Sequence, residues 1–222
     1  MKSKTAPDPA NRPSVGRPKD AAKGEGIIRA ATALFMRDGY ELTSMEAVAK
    51  KADVSKLTIY SHFANKDELF KAVIRQRCDK LATPECFLTQ SDQPVEPALL
   101  DLALRLAGLI FSADSIRLHR VVQAEATRHP KVVQIFYEAG PRRVREAFGA
   151  LLQEWNRRGQ LNVPDIPVAT EQFFSLLKGE RLMRTMLLRE PMPNAGELDK
   201  HVRATVKLFL DAYRPKTPLS SK

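Results

Sequence analysis

The chain has 222 residues, of which 36 are Lys or Arg, 26 are Asp or Glu and 43% are hydrophobic, so it carries a net charge of +10. This composition excludes wholesale disorder, and two cysteines are too few for a disulfide scaffold or a Cys-rich zinc module. The most apolar run, residues 98–111, is shorter than a membrane span and contains Asp101 and Arg105, which predicts a buried helix. The first residues have no apolar stretch typical of a secretory signal, so we expect a cytoplasmic protein that does not associate with membranes.

The positive charge is concentrated at the beginning of the chain. Residues 1–81 contain 16 Lys and Arg against 10 Asp and Glu, which is more than half of the net excess. A concentrated positive charge favours a polyanion as partner, with a solubilising surface as the alternative on charge alone. Residues 1–20, rich in Pro, Ser, Lys and Arg, are predicted to form a flexible basic arm.

The elements predicted after the arm are all helical, which indicates an all-α fold. Gly39 occupies the position of a left-handed C-terminal cap. Thr43 and Glu46 match a capping box at the start of the second helix. Gly140 and Pro141 are predicted to break the chain after a short helical segment over 131–138. Apolar spacing and capping signals predict about nine helices, over residues 24–38, 44–51, 56–62, 66–81, 97–112, 115–129, 141–158, 168–189 and 195–213.

The second and third predicted helices have the arrangement of a helix-turn-helix. Residues 52–54 form a tight turn between them, and Ser55 is expected to cap the third helix. Ile59 and Phe63 are expected to face the core. Lys66 opens the fourth helix, where its charge and the free N–H groups both favour an anion. The positions of the third helix that can face outward, towards phosphates or bases, are Lys56, Leu57, Thr58, Tyr60, Ser61 and His62.

The segment LTSMEAVAKKADVSKLTIYSHFANKDELF, residues 42–70, resembles the DNA-binding domain of TetR/AcrR-family transcriptional regulators. The segment QAEATRHPKVVQIFYEAGP, residues 123–141, is similar to the C-terminal domain of the AefR-like subgroup. The resemblance implies a three-helix DNA-binding domain over 21–68, a ligand-binding and dimerisation domain over 69–214, and a flexible tail over 215–222. It also implies a repressor of transcription that is not an enzyme.

The resemblance assigns DNA contacts residue by residue. Lys56 and Leu57 match base-reading positions, and Met45 is expected to lie near the groove, where it would touch a thymine methyl group. Asp53 stands where the family commonly has Gly, which is tolerable because Asp adopts left-handed conformations more readily than most residues. The arm would reach the minor groove, with a solvated tail as the alternative. The candidate DNA-contacting residues are therefore Ser44, Met45, Lys56, Leu57, Thr58, Tyr60, Ser61, His62 and Lys66, with Arg17 and Lys19 of the arm.

The last two helices resemble the dimerisation pair of the family and carry more apolar surface than one core face requires. A two-fold dimer would place two recognition helices about 34 Å apart, one turn of B-DNA, so we expect a palindromic operator. A monomer with a thick core is the alternative. The expected dimer contacts are Phe174, Met183, Met186, Leu187, Val202, Val206, Phe209 and Leu210.

The helices from the fourth to the eighth are expected to enclose a mainly apolar pocket for a small hydrophobic ligand. A bound ligand would shift the fourth helix and change the separation of the recognition helices. For each lining residue, plain core packing is the alternative. A second hypothesis is that this domain recruits protein partners, which a filled core with an exposed apolar patch would favour. The candidate lining residues are Leu104, Phe111, His119, Val122, Phe136, Phe148, Trp155, Phe173 and Leu177.

We expect no catalytic site, cofactor or metal. The sequence contains no nucleophile–base constellation, phosphate-binding loop or HExxH motif. His119 and His129 would point about 80° apart on one helix, which makes a poor chelate. Cys78 and Cys86 are expected to be buried or incidental thiols, with a redox switch as the less favoured alternative.

Overall fold

The computed structural model describes residues 18–79 and 93–215. Within these ranges the chain forms ten α-helices, one π-helical turn and no strand, so the predicted all-α class is confirmed. The helices are α1 (Pro18–Asp38), α2 (Met45–Lys51), α3 (Lys56–His62), α4 (Lys66–Asp79), α5 (Val95–Ile110), α6 (Ala113–Glu125), α7 (Pro130–Tyr137), α8 (Arg143–Arg157), α9 (Ile166–Leu187) and α10 (Ala195–Tyr213), and the π turn is Glu138–Arg142. No helix in these ranges is long and apolar enough to cross a membrane.

The beginning of the first helix differs from the prediction. It begins at Pro18 rather than at residue 24, because a proline is well accommodated at the first helical position. Residues 1–17 of the predicted arm, the predicted end of α4 at Leu81, Cys86 and the tail beyond residue 215 lie outside the described residues.

Buried apolar side chains form two clusters. The first joins α1 to α4 around Phe35 and Phe70, whose ring centroids are 5.1 Å apart, and includes Val122 of α6 and Val132 of α7. The second joins α5, α8, α9 and α10 around stacked and edge-on aromatic rings such as Phe148. Because α6 and α7 contribute to the first cluster, the N-terminal helices share one hydrophobic core with these two later helices.

The start of α2 corrects the predicted capping box. Ser44, not Thr43, is the N-cap, and its hydroxyl accepts a hydrogen bond from the backbone N–H of Ala47 at 3.1 Å. Thr43 is buried, and its hydroxyl donates to the carbonyl of Gly39 at 2.7 Å. The predicted left-handed residues are confirmed, with φ of +83° at Gly39 and +53° at Asp53.

The predicted chain break at Gly140 and Pro141 is wrong. The backbone continues from α7 through the π turn into α8. A π turn accommodates Pro141, which has no N–H to donate to an α-helical ladder. A Cβ atom at Gly140 would lie 3.0 Å from Ile74 Cγ2 and 3.2 Å from Cys78 Sγ. The turn therefore packs directly against α4, the helix that follows the helix-turn-helix.

The ninth helix is bent at Gly179, whose φ of 55° and ψ of −178° are not helical. This conformation is almost confined to glycine. The side chain of His201 on α10 donates from Nε2 to the carbonyl of Leu177 at 3.1 Å, so this carbonyl has a partner at the bend. The bend lies next to Lys178, which faces the cavity described below. At the start of α10, Asn194 is the N-cap and forms a capping box with Glu197.

Candidate nucleic-acid interface and ligand cavity

The third helix presents one face to the core and the other to solvent. Ile59 is fully buried, and the Ser55 hydroxyl caps the helix by accepting from the N–H of Thr58 at 3.0 Å. On the outer face Leu57 is 82% exposed and Tyr60 is 41% exposed. Lys56 and Ser61 are exposed, whereas Thr58 and His62 are half-buried. The predicted outward residues thus share a surface that mixes donors, an aromatic ring and an aliphatic side chain.

The base-reading candidate Lys56 has an acidic neighbour. Its Nζ lies 2.6 Å from Glu46 Oε1 and 5.9 Å from the centre of the Tyr60 ring. This hydrogen bond raises the pKa of Lys56 and lowers the pKa of Glu46. Both side chains are exposed, and an exposed ion pair contributes little free energy. Lys56 can therefore give up its bond to Glu46 for a DNA contact at little energetic cost. Arg17 and the side chain of Lys19 lie outside the described residues.

Two predicted DNA contacts make contacts within the fold. Met45 is only 6% exposed and packs in the first core, because Met45, Val48 and Ala49 share one face of α2. The expectation that Met45 lies at the groove is therefore wrong, and its spacing of three and four residues was the signal for burial. Lys66 donates from Nζ to the carbonyls of Tyr40 at 3.0 Å and Glu41 at 3.2 Å, so it holds the α1–α2 loop.

Asp67 at the start of α4 connects the N-terminal helices to α7. It accepts a hydrogen bond from the Tyr40 hydroxyl, and its Oδ2 lies 2.5 Å from Lys131 Nζ. The hydrogen bond from Lys131, followed by the one from Tyr40, lowers the pKa of Asp67. The pKa of Tyr40 is raised, first by burial and then by its bond to Asp67.

A second polar contact joins the α1–α2 loop to the end of α6. His129 Nε2 lies 3.2 Å from Glu41 Oε2 and 3.8 Å from Glu125 Oε2. The backbone N–H of Glu41 also donates to Glu125 Oε1 at 3.4 Å. Neither contact was predicted, because the partners are far apart in sequence and only the tertiary fold brings them together.

A cavity of about 110 Å³ lies between α4, α5, α6, α7, the π turn, α8 and α9. Two of the predicted lining residues, His119 and Phe136, face it, with ring centroids 5.0 Å apart. Ile74 and Cys78 of α4 form part of its wall, so the cavity borders the helix that follows the helix-turn-helix. Burial raises the pKa of Cys78 to about 11 and lowers the pKa of His119.

The other predicted lining residues are not part of this cavity. Phe148, Trp155, Phe173 and Leu177 are buried in the second core, Leu104 packs against it, Val122 belongs to the first core, and Phe111 is buried elsewhere. In the second core, the aromatic rings of Phe148, Phe173 and Phe209 lie at centroid distances of 4.4 to 6.3 Å from one another.

Three cationic side chains that the sequence analysis did not single out line the cavity. Arg77, Arg145 and Lys178 come from α4, α8 and α9, and within residues 18–79 and 93–215 no Asp or Glu lines the cavity. Arg77 Nη1 lies 3.3 Å from Asp114 Oδ2. Burial, followed by the charge of Arg145, lowers the pKa of Lys178. The cavity therefore has a charged side as well as the expected apolar walls.

The predicted dimer contacts divide into buried and exposed groups. Val202, Val206, Phe209 and Leu210 are buried in the second core, and Phe174 lines the cavity, so these five are wrong as surface contacts. Met183 and Leu187 are exposed and Met186 is half-buried. The apolar stripe of α10 faces its own chain, because α5 packs against it.

The outward face of α9 and α10 has an apolar row of its own. Leu208 is 55% exposed, with Ala204 and Ala212 one helical turn away on either side. Leu176 of α9 is also exposed, and it lies with Leu208 along one surface groove.

Comparison with known proteins identifies two matching families. "Bacterial regulatory proteins, tetR family" matches residues 27–73, and "AefR-like transcriptional repressor, C-terminal domain" matches residues 97–215. The repressor Rv3405c of Mycobacterium tuberculosis is 30% identical over 142 residues, which are 64% of this chain and 70% of that protein. Two further curated relatives, an activator and a repressor, match over 35% and 49% of their own lengths, so this chain spans about a third to a half of them.

Solved structures show the same fold. A TetR-family regulator from Mesorhizobium loti has a TM-score of 0.76 and 31% identity, and the match covers 90% of this chain and 100% of that one. The flavonoid-responsive regulator FrrA has a TM-score of 0.68 and 30% identity, over 89% of this chain and 100% of that one. With the helix-turn-helix and the helical domain that follows it, these matches show that the chain belongs to the TetR family of bacterial DNA-binding transcriptional regulators, which are not enzymes.

Proposed function

We propose that this protein is a homodimeric repressor that binds a palindromic operator through α2 and α3 and leaves it when a small ligand occupies the cavity. The observation that carries the proposal is the position of α4. Its first turn follows the recognition helix α3, and Ile74 and Cys78 on its later turns form part of the cavity wall. Such a regulator acts on chromosomal DNA, so we place it in the cytoplasm and away from membranes.

The packing around α4 supports a mechanical link. The π turn lies against α4 with no side chain at Gly140, and π-helical turns are frequent at functional sites. A ligand between Phe136 and Ile74 would press on this contact and tilt α4. Release requires that the ligand binds the DNA-free conformation more tightly, and a tenfold preference corresponds to about 1.4 kcal/mol of coupling.

The cavity also favours this proposal over recruitment of a protein partner by the C-terminal helices. A domain that serves only as a docking surface needs no internal space, whereas a ligand sensor needs a cavity with a few polar groups. The cavity has apolar walls and the polar groups of His119 and Lys178. A small molecule that changes DNA affinity would support the sensor, and a domain that binds only macromolecules would support the alternative.

Binding to DNA is tested by fluorescence anisotropy on the duplex upstream of the gene that encodes the protein, across a salt series. Lys56→Ala is expected to relax the preference at one or two operator positions, at about 1–3 kcal/mol per position. Lys200→Ala, an exposed lysine on α10, serves as the matched control and is expected to leave the preference unchanged. Unchanged preference in Lys56→Ala would show that α3 does not read bases through this residue.

The homodimer is tested on the outward face of α10. Leu208→Glu is expected to give monomers in size-exclusion chromatography with light scattering, because it places a carboxylate in the centre of the apolar row. Tyr137→Glu, at a similarly exposed apolar position on α7, is the matched control and is expected to remain dimeric. A dimer that survives Leu208→Glu would place the interface elsewhere.

A further inference from the structure

The charged side of the cavity indicates the chemistry of its ligand. We propose that the ligand is an organic carboxylate with a compact apolar body, and that Lys178 and Arg145 bind its anionic group. The inference rests on the proposed function, since it names the ligand of the same cavity. It replaces the sequence-based expectation of a ligand that is simply hydrophobic.

The first argument is the balance of charge. Among the lining residues that the structure describes there are three cations and no carboxylate. Arg77 has a partner in Asp114, but within residues 18–79 and 93–215 neither Lys178 nor Arg145 has a carboxylate in salt-bridge distance. The guanidinium of Arg145 lies 5.8 Å from the ring centre of Phe174, which also lines the cavity.

The second argument is the cost of this arrangement without an anion. Lys178 is half-buried, and both burial and the positive charge of Arg145 act against its charged form. An anion bound between the two side chains would neutralise their repulsion and supply acceptors for their N–H groups. A cationic ligand would add to the repulsion, and a neutral ligand would leave it in place.

The third argument is the size and lining of the remaining space. The cavity measures about 110 Å³, somewhat less than the ~150 Å³ of an engineered apolar cavity that binds benzene. Leu106, Leu109 and Phe136 supply apolar walls. The body of the ligand is therefore one ring or a short alkyl chain.

The test is isothermal titration calorimetry on the full chain without DNA. The probes are benzoate, phenylacetate and hexanoate, each compared with its primary amide, which has similar shape and no charge. We expect at least one carboxylate to bind at least about tenfold more tightly than its amide, because the carboxylate would form charge-assisted hydrogen bonds. If no carboxylate binds more tightly than its own amide, or none of the six compounds binds, the proposal is overturned.

Variants identify the groups that bind the charge. Lys178→Met keeps the length of the side chain and removes the charge, so it should weaken the carboxylate about tenfold and leave the amide within about threefold. Arg145→Met is a second variant with the same expectation, in case the first does not fold. Lys200→Met, at an exposed position on α10, is the control and should change neither affinity. A carboxylate preference that persists in both cavity variants would overturn the assignment.

Anisotropy on operator DNA separates this inference from the proposed function. A carboxylate that binds with the expected preference but does not release DNA would support the ligand class and contradict ligand release. A neutral or cationic compound that releases DNA, while no carboxylate binds preferentially, would contradict the ligand class and support ligand release.

Discussion

Replacing Gly140 by alanine is expected to destabilise the protein, although alanine is the better helix former. The new Cβ would lie 3.0 Å from Ile74 Cγ2 and 3.2 Å from Cys78 Sγ, both closer than ordinary van der Waals contact. Ile74 is 1% exposed and packs in the first core, so the only open space beside it is the cavity that it lines. The substitution therefore tests how tightly the π turn packs on α4.

The expected magnitude is a balance of two effects. Alanine gains about 0.5–1 kcal/mol over glycine in backbone entropy, and overpacking a core costs about 1–3 kcal/mol. The net loss for Gly140→Ala is then about 1 kcal/mol, which lowers Tm by roughly 2–4 °C for a chain of this size. Gly108→Ala on α5 is the matched control, because nothing lies within 4 Å of its Cβ position. It should raise Tm by a similar amount.

Thermal unfolding followed by circular dichroism measures the difference, at one protein concentration because association changes apparent stability. Cys78→Ala removes one of the two close contacts, so it should reduce the penalty of Gly140→Ala in the double variant. If Gly140→Ala is as stable as Gly108→Ala, the turn does not pack tightly against α4 and the proposed mechanical link loses its support.

Three further predictions concern titratable groups. Because Lys131 and Tyr40 lower the pKa of Asp67, its ion pair stabilises the fold above the unfolded pKa of about 3.9. Asp67→Asn should thus lower the urea midpoint of unfolding at pH 7. The difference in midpoint from the unsubstituted protein should vanish as the pH falls through the pKa of Asp67 in the folded state, and a difference that does not change with pH would refute this. Burial lowers the pKa of His119 in the folded protein. As the pH falls, the imidazole is therefore protonated in the unfolded chain before it is protonated in the folded one, and the stability of the fold should decrease below about pH 6.5. His119→Gln should remove that part of the decline, and an unchanged pH profile would contradict the assignment. With a pKa of about 11, the Cys78 thiol should react with iodoacetamide at pH 8 on the order of a hundredfold more slowly than in urea, as measured by peptide mass spectrometry. Equal rates would mean that the thiol is not buried.

Several residues of the candidate sites are far apart in the sequence and come together only in the folded chain. Arg77, Arg145 and Lys178 come from three helices and meet only at the cavity. The contact of Asp67 with Lys131 joins residues of α4 and α7 in the same way. No local pattern marks such residues, because their proximity is set by how helices cross. Met45 is different, since its spacing with Val48 and Ala49 already indicated a buried face.

The sequence by itself determined the local structure and the family. The Ser55 cap, the left-handed turn at Asp53 and the capping box at Asn194 depend on atoms a few residues apart, so neighbouring residues are sufficient to specify them. The tertiary structure alone decided which surfaces are buried against which. Apolar periodicity identifies one face of a helix but not the element that covers it, and the stripe of α10 proved to face α5 of its own chain rather than a second subunit. A cavity is space that packed helices leave unfilled, so its position depends on the arrangement of seven elements at once.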